Sequence, residues 1–491
     1  MTSKDHRKQK PTGRGRKSPQ RKDGPGRPGS PGATRQTRQP EQVRLLVARA
    51  LLDFLAGNEF DSQPPDALSE EKDRRLFVNL LRGVVRHWRF LQGEVFRLSG
   101  RKADRLDQTL GLLACLGLYQ IRFMRLPDHA AVNETVELAP TLGRHHGKGW
   151  LNGVLRAAAR EGLRETDSPE KLSLAMRTSH PDWMVERWQK RFGETLTGEL
   201  CENNNRFSGA GVRVETGRIS PEKLLEWLDD ESVQAEMHPL LHGSLWVENT
   251  AALLASQAFE RGLCYVQDVS SQLLVSWITP LLSGMVLDVC CAPGGKLTQL
   301  AGQLGGKARL TALDISSHRL ERVRENILRL GLTGVRLLQA DGRRLPFVRG
   351  ENLPEVRLRR GWDAVVLDAP CSATGTIRKY PEMKLRKLPG DLPRLADSQQ
   401  ALLAEAARVV RPGGLVCYIT CSLEREENQD VVDTFLEAHP GWRRLSFGDI
   451  PTPEGLAEDP RGFITDGGDF FILPGKNWMG MYGACLQRGE D

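Results

Sequence analysis

The chain has 491 residues, 39% hydrophobic and 27% charged, which is enough for two or three domains with sizeable cores. Its most apolar stretch, LGLLACLGLYQI (110–121), is too short to span a bilayer and predicts a buried helix; the N-terminus lacks the apolar segment of a secretory signal. Nine cysteines without a CxxC pair or zinc-site spacing to His argue against a disulfide framework, and predict reduced thiols, a cytoplasmic location and no metal.

The net charge of +7 is unevenly placed. Residues 1–40 hold twelve Lys/Arg against Asp5 and Asp23, a local balance of +10 that leaves the remainder at −3. With six Gly, six Pro and no large apolar residue after Met1, this arm cannot build a core and suits non-specific contact with nucleic-acid phosphates. From Glu41 the pattern turns helical. Apolar residues at 43, 46, 47, 50, 51, 54 and 55 mark one helix face, and further helices are predicted over 74–96, 107–123, 130–142 and 149–161. Residues 41–172 therefore read as an all-α domain, in which His145 and His146 lie in an exposed loop. Residues 173–262 read as a small mixed α/β unit, with a strand over 211–216 and a helix over 220–230 that has Pro221 in its first turn.

Residues 263–489 alternate strand, loop and helix. MVLDV, ARLTALDIS, VRLLQAD, WDAVVLD and GGLVCYIT are Val/Leu/Ile-rich runs separated by helical stretches, the pattern of a doubly wound, mostly parallel sheet with helices on both faces. Asp288, Asp314, Asp341 and Asp368 end four successive strands, where such sheets bind ligands. The first loop, DVCCAPGGK (288–296), has neither the dinucleotide glycine pattern nor a phosphate-cradling loop. Gly294 and Gly295 allow close approach of backbone to ligand, a carboxylate at Asp314 can take both ribose hydroxyls, and Asp341 can accept from an adenine amino group. An adenosine cofactor without a pyrophosphate fits this set, and S-adenosylmethionine is the candidate.

Two cysteines end the fourth and fifth strands: Cys371 in DAPCSATG and Cys421 in YITCSLEREEN. A thiolate beside a methyl donor suits C5 of a pyrimidine, which is not nucleophilic until a thiolate adds to C6. In this reading Asp368 sits on N3 of the base, and Lys296 neutralises that carboxylate or lowers a thiol pKa. The residues alone leave open which thiol attacks. Cys264, Cys290 and Cys417 read as small buried hydrophobes.

The stretches YVQDVSSQL, LDVCCAPGGK, LDAPCSATGTIRKYPE and TCSLEREEN resemble the Sun/Fmu-type RNA (cytosine-5)-methyltransferases, in particular the bacterial 16S ribosomal RNA enzymes. HAAVNETVELA and WLNGVLR resemble the NusB-like RNA-binding domain fused to them. The resemblance runs from about residue 41 to the end. It implies an all-α NusB-like domain followed by a Rossmann-like class I methyltransferase. It also implies Cys421 as the attacking thiol, Cys371 as the residue that assists release, and Asp368 as base and cofactor contact. Cys290, Cys291, Ala292, Pro293, Gly294, Gly295, Lys296, Asp314 and Asp341 would then serve S-adenosylmethionine. The expected substrate is 16S ribosomal RNA or a small-subunit precursor, handled by a monomer that needs no metal or membrane. The rivals are the same chemistry on transfer RNA or another ribosomal site, and a non-catalytic ribosome-assembly factor that only binds RNA. Three departures fall on the expected RNA-facing rim: Leu385 in place of the usual tryptophan, MGMYG (479–483) in place of Asp-Gly-Phe-Phe, and an enlarged loop at 347–362.

Deleting residues 1–40 is expected to weaken RNA binding and flatten its dependence on salt, by about 0.9 in the log–log slope for each duplex phosphate that the arm no longer neutralises. A titration of binding against salt checks this, and an unchanged slope would leave the arm as a solubility tail.

Overall fold

A computed structural model describes all residues except 1–38, 102–105, 125, 162–171, 207–208, 348–360, 458 and 491. Nearly all of the basic arm, and positions 348–360 of the enlarged loop, therefore lie outside the described residues. Seven helices open the described chain: α1 (Gln39–Leu55), α2 (Glu71–Arg86), α3 (Trp88–Ser99), α4 (Gln108–Phe123), α5 (Asp128–Val136), α6 (Leu138–Thr141) and α7 (Lys148–Glu161). The apolar stretch of 110–121 is α4, buried on every side because the other helices pack around it. Asp107 starts it by accepting the Leu110 amide at 3.0 Å. The segment 74–96, expected as one helix, is two. His87 leaves the helical region at φ −106°, ψ 15°, while the buried positions Val84, Val85, Trp88 and Leu91 run on across the break, so periodicity could not reveal it. The segment 130–142 likewise divides, at Glu137. His145 and His146 are exposed on a short turn.

Two further helices, α8 (Leu174–Arg177) and α9 (Asp182–Asn205), lead away from this core. A small sheet follows, built from β1 (Ala210–Val214), β2 (Ala235–Met237), β3 (Ser244–Val247) and β4 (Cys264–Val266) in the antiparallel order β2-β3-β1-β4. The helix α10 (Pro221–Asp230) stands between β1 and β2, with Ser220 capping it and Pro221 at its first position. β4 lies beyond residue 262 yet pairs with β1, so the small sheet takes its edge strand from the start of the third expected region.

The large sheet holds β5 (Gly284–Val289), β6 (Ala308–Asp314), β7 (Val335–Gln339), β8 (Trp362–Asp368), β9 (Val410–Thr420), β10 (Trp442–Leu445), β11 (Phe470–Ile472) and β12 (Met481–Arg488). Its order is β10-β12-β9-β8-β5-β6-β7, with β11 beside β12; β5 to β9 are parallel and the last three strands antiparallel. Alternate residues supply two cores: Val286, Val366 and Ile419 face one, Leu287, Leu367 and Tyr418 the other. Burial on both faces is why these strands read as unbroken apolar runs. The helices α11 (Thr250–Leu254), α12 (Gln257–Glu260), α13 (Val269–Ile278), α14 (Gly295–Leu304), α15 (Ser317–Arg329), α16 (Met383–Arg386), α17 (Asp391–Val409) and α18 (Gln429–Ala438) complete the chain. Among the described residues no helix is long and apolar enough to cross a membrane, and no group of three or more His, Cys, Asp or Glu could hold a metal ion.

Leu113→Ala, at a position with no exposure in α4, is expected to cost about 2–5 kcal/mol, whereas Leu328→Ala, 73% exposed on α15, should stay within about 0.5 kcal/mol. Urea unfolding of the two variants checks the contrast.

Candidate active site

Parallel pairing of β8 with β9 sets Leu367 opposite Tyr418 and Asp368 opposite Ile419. The Ala369 amide donates to the Ile419 carbonyl at 2.9 Å, and the two strands then release their chains side by side. Cys371 and Cys421 therefore meet, with Sγ atoms 3.4 Å apart. The Gly375 amide donates to the Cys421 carbonyl at 2.9 Å, an approach that only glycine permits: a Cβ there would sit 2.8 Å from that oxygen and 2.7 Å from the Gly480 carbonyl oxygen.

One buried carboxylate holds both loops. Glu427 accepts the Ser372 amide at 2.7 Å, the Ser422 hydroxyl at 2.5 Å, the Gln399 side-chain amide at 3.0 Å, and the Ser372 hydroxyl. Beside it, Asn428 donates to the Ser422 carbonyl at 2.9 Å and accepts from the Thr420 hydroxyl at 2.5 Å. The motif reading stopped at the cysteines and missed Ser372, Ser422, Glu427 and Asn428, although all four lie in the quoted PCS and TCS…EEN stretches. The signal was there: two serines, each following a cysteine, and an acid–amide pair shortly after the second.

The two thiols are not equivalent. The Cys371 S–H hydrogen bond to Cys421, first among the causes, holds the Cys421 pKa below that of an ordinary thiol; Lys296 also favours its thiolate, while burial and Asp368 oppose it. The same hydrogen bond, with burial, holds the Cys371 thiol well above its usual range. Lys296 Nζ lies 2.7 Å from Asp368 Oδ2. Burial works against that ammonium, but Asp368 outweighs it and raises the Lys296 pKa. Asp288, near the end of β5, has both oxygens buried without a hydrogen-bond partner. Burial first, then the neighbouring Asp368, pushes its carboxyl well above the carboxylate range. A second thiol pair, Cys417 with Cys485, joins β9 to β12 at 3.6 Å inside the core. Cys264 is also buried, in the core of the small sheet.

Beside the thiols opens a cleft of about 360 Å³, lined by Cys290, Ala292, Asp314, Asp341, Asp368, Cys371 and Cys421 among others. This lies within the volume range of small-molecule sites. Asp314 accepts the Ser316 amide at 2.9 Å and the Ala292 amide at 3.4 Å and pairs with Arg319 at 2.9 Å, a residue the sequence reading did not single out. Asp341, just past β7, pairs with Arg343 at 2.8 Å. The first loop turns sharply: Cys290 has φ 64°, a cis bond joins Ala292 to Pro293, and Gly294 at φ 100° begins α14. Cys290 faces the cleft and burial pushes its thiol up to about 12, whereas the Cys291 side chain packs into the core. The Gly295 carbonyl accepts from Arg213 of β1 at 2.9 Å, anchoring the loop from behind.

Two of the three departures are not on a rim. Leu385 packs on the helical-domain core, and Met481 and Tyr482 are buried in β12, where Tyr482 stands opposite Thr420. The resemblance placed them on the rim, but the segment after Cys371 runs into the helices and carries Leu385 with it, and β12 pairs with β9 in the core.

Glu427→Gln puts an amide where only donors point, and is expected to cost about 1–3 kcal/mol and to loosen the thiol pair. Alkylation of Cys421 by iodoacetamide is expected to have its pH midpoint below that of a free thiol, because a lowered pKa keeps the thiolate populated at lower pH. Cys371→Ala, which removes the hydrogen bond that holds the Cys421 pKa down, should raise that midpoint, and mass spectrometry of the labelled peptide across a pH series checks it.

Three family models match the chain: the NusB family over residues 41–160, the RsmF/B-like ferredoxin-like domain over 180–253, and the 16S rRNA methyltransferase RsmB/F over 275–486. Ribosomal RNA small subunit methyltransferase B of Erwinia tasmaniensis is 34% identical over 404 residues, which cover 82% of this chain and 90% of that protein. A probable ribosomal RNA small subunit methyltransferase B of Bacillus subtilis is 33% identical over 400 residues, covering 81% and 86%. Among solved structures, PH0851 superposes with a TM-score of 0.71 at 24% identity, covering 91% of this chain and 99% of that one. NSun6 from Pyrococcus horikoshii with SFG superposes at 0.52 and 22% identity, covering 63% and 99%. The chain itself is a helical NusB domain joined to a Rossmann-like methyltransferase domain, a fold with neighbours among solved methyltransferases. With that identity over nine-tenths of a relative's length, and three family models in the same order along the chain, the protein belongs to the RsmB/F family of ribosomal RNA methyltransferases.

Proposed function

We propose that the protein transfers a methyl group from S-adenosylmethionine to C5 of a cytosine in 16S ribosomal RNA, through a covalent bond between Cys421 and C6. The observation that carries this reading is the thiol pair, 3.4 Å apart and unequal in acidity, beside the Lys296–Asp368 ion pair. A protein that only bound RNA would have no use for such an arrangement.

The residues present fit the cofactor. Asp314 and Asp341 line the same cleft as both thiols, as a ribose and an adenine require, and no phosphate-cradling loop competes. Asp288, two residues before Cys290, keeps a buried carboxyl without a hydrogen-bond partner just behind the cleft's first loop. When bound, the cofactor supplies an electrophilic methyl. Cys290, Ala292 and the backbone through Gly295 would hold it against the strand ends.

The chain's own residues do the remaining work. The Cys421 thiolate adds to C6, and the electron pair of the C5–C6 double bond becomes available at C5. Asp368 shares a proton with N3 of the base and so draws charge from the ring, and Lys296 beside it balances the carboxylate. After methyl transfer a base takes the C5 proton, the C5–H electron pair re-forms the double bond, and the C6–S pair leaves on the Cys421 sulfur. The Cys371 S–H, already hydrogen-bonded to the Cys421 sulfur, stabilises the thiolate as it leaves, which is how Cys371 assists release. The target cytosine must leave its stack to reach this cleft.

Cys421→Ala is expected to lower methyl transfer by more than about a thousandfold while leaving cofactor binding intact. Cys371→Ala should accumulate an RNA–protein adduct that survives a denaturing gel; free RNA in that lane would remove Cys371 from the release step. Bisulfite mapping of 16S ribosomal RNA from a deletion strain identifies the modified cytosine. A deletion strain with every ribosomal 5-methylcytosine intact would move the substrate to transfer RNA or elsewhere.

A further inference from the structure

The segment that leaves Cys371 ends far from the cleft. After the turn Thr374–Thr376 it passes between two carbonyl-rich surfaces and runs into the helical domain as α16. Arg378 donates to the carbonyls of Gly475, Lys476 and Trp478, the last at 2.8 Å. The Arg378 carbonyl in turn accepts from the Arg86 guanidinium at 2.9 Å. Arg386 lies over the Phe54 ring, 4.9 Å from its centroid, and donates to the Asn58 carbonyl, while Leu385 packs on the helical core.

Lys384 stands at the centre of this junction and is only 2% exposed. Its amine donates to the carbonyl of Arg86, the last residue of α2, at 2.8 Å, and to Oδ1 of Asn205, the last residue of α9, also at 2.8 Å. Burial first, then the neighbouring Arg86, pushes its pKa well below the usual lysine range, so what it brings to the junction is two donated hydrogen bonds from outside the helical domain. Losing either acceptor would leave a buried donor unsatisfied, at a cost of about 1–3 kcal/mol.

The other cysteine loop is held from the N-terminal part of α9, which breaks at Gly193 (φ 81°, ψ 170°) before continuing to Asn205. In the first half of α9, Trp188 Nε1 donates to Glu424 at 3.0 Å, Arg187 pairs with Glu424 at 3.1 Å, and Arg191 donates to the Leu423 carbonyl. The buried side chains of α8 and α9 form one apolar cluster with Ile377 and Leu423, which follow the two cysteine loops. Both loops therefore lean on α9, and the Cys371 side leans on α2 as well.

We infer that Lys384 is a positioning residue for the Cys371 loop, and that through it the helical domain sets the spacing of the two thiols as well as meeting RNA. This rests on the cysteine roles proposed above. The test is Lys384→Met in the full-length protein, with steady-state methylation of 16S ribosomal RNA, S-adenosylmethionine binding, and the pH midpoint of Cys421 alkylation measured together. The expected result is a kcat lower by about 10- to 100-fold, the scale of a catalytic group displaced by about 1 Å. KM for RNA and affinity for S-adenosylmethionine should hold within about twofold, and the alkylation midpoint should rise. An unchanged kcat and midpoint, or a change confined to KM for RNA, would overturn the inference and leave the domain as an RNA grip. Asn205→Leu removes one acceptor from the other side and supplies the same readouts should Lys384→Met fail to fold. Alkylation needs no RNA, so a wild-type protein that does not methylate 16S ribosomal RNA defeats the proposed substrate without touching the test of Lys384.

Discussion

Everything in the catalytic region depends on a carboxylate that never meets solvent. Glu427 collects donors from the Cys371 loop, the Cys421 loop and α17, and its own carbonyl accepts the Tyr418 hydroxyl at 2.6 Å. Four donors converging on one anion tolerate little displacement, because a missing partner leaves a buried polar group unsatisfied. Strand pairing brings the two loops to the same sheet edge. The carboxylate then fixes them at the distance where one thiol can donate to the other.

That distance is what makes the sulfurs chemically different. A single S–H shared between them lowers one pKa and raises the other, while Lys296 favours the Cys421 thiolate and burial and Asp368 oppose it. The residues that suggested chemistry in the sequence are thus the visible part of a larger arrangement. Behind them stand Ser372, Ser422, Asn428 and Gln399, none of which would take part in bond making.

Much of this was legible beforehand. The parallel sheet followed from apolar runs alternating with helices, and three of the four strand-end aspartates, Asp314, Asp341 and Asp368, line one cleft, while Asp288 is buried. The pairing of Cys371 with Cys421 followed from β8 and β9 being consecutive in the sheet as well as in the chain. What could not be read was contact over long separations. His87 breaks a helix while keeping its apolar register, β4 crosses the boundary expected at residue 263, and Leu385, half-buried, packs on a domain far earlier in the chain. Local pattern carries none of these, since each is decided by which surface a segment meets after folding. Which cysteine attacks was also beyond spacing.

The second thiol pair gives strand β9 an internal control. Cys417 and Cys421 lie four residues apart, on β9 and just past its end, each with a partner sulfur at similar range, 3.6 Å and 3.4 Å. Cys417 and Cys485 sit among apolar side chains, and Cys485 is held well above the usual thiol range by that pairing, by burial and by the Asp469 carboxylate. Proximity of two sulfurs is therefore ordinary in this protein. What separates a packing contact from a reagent is one turn of backbone at the end of the strand, where the apolar wall stops and the charges begin.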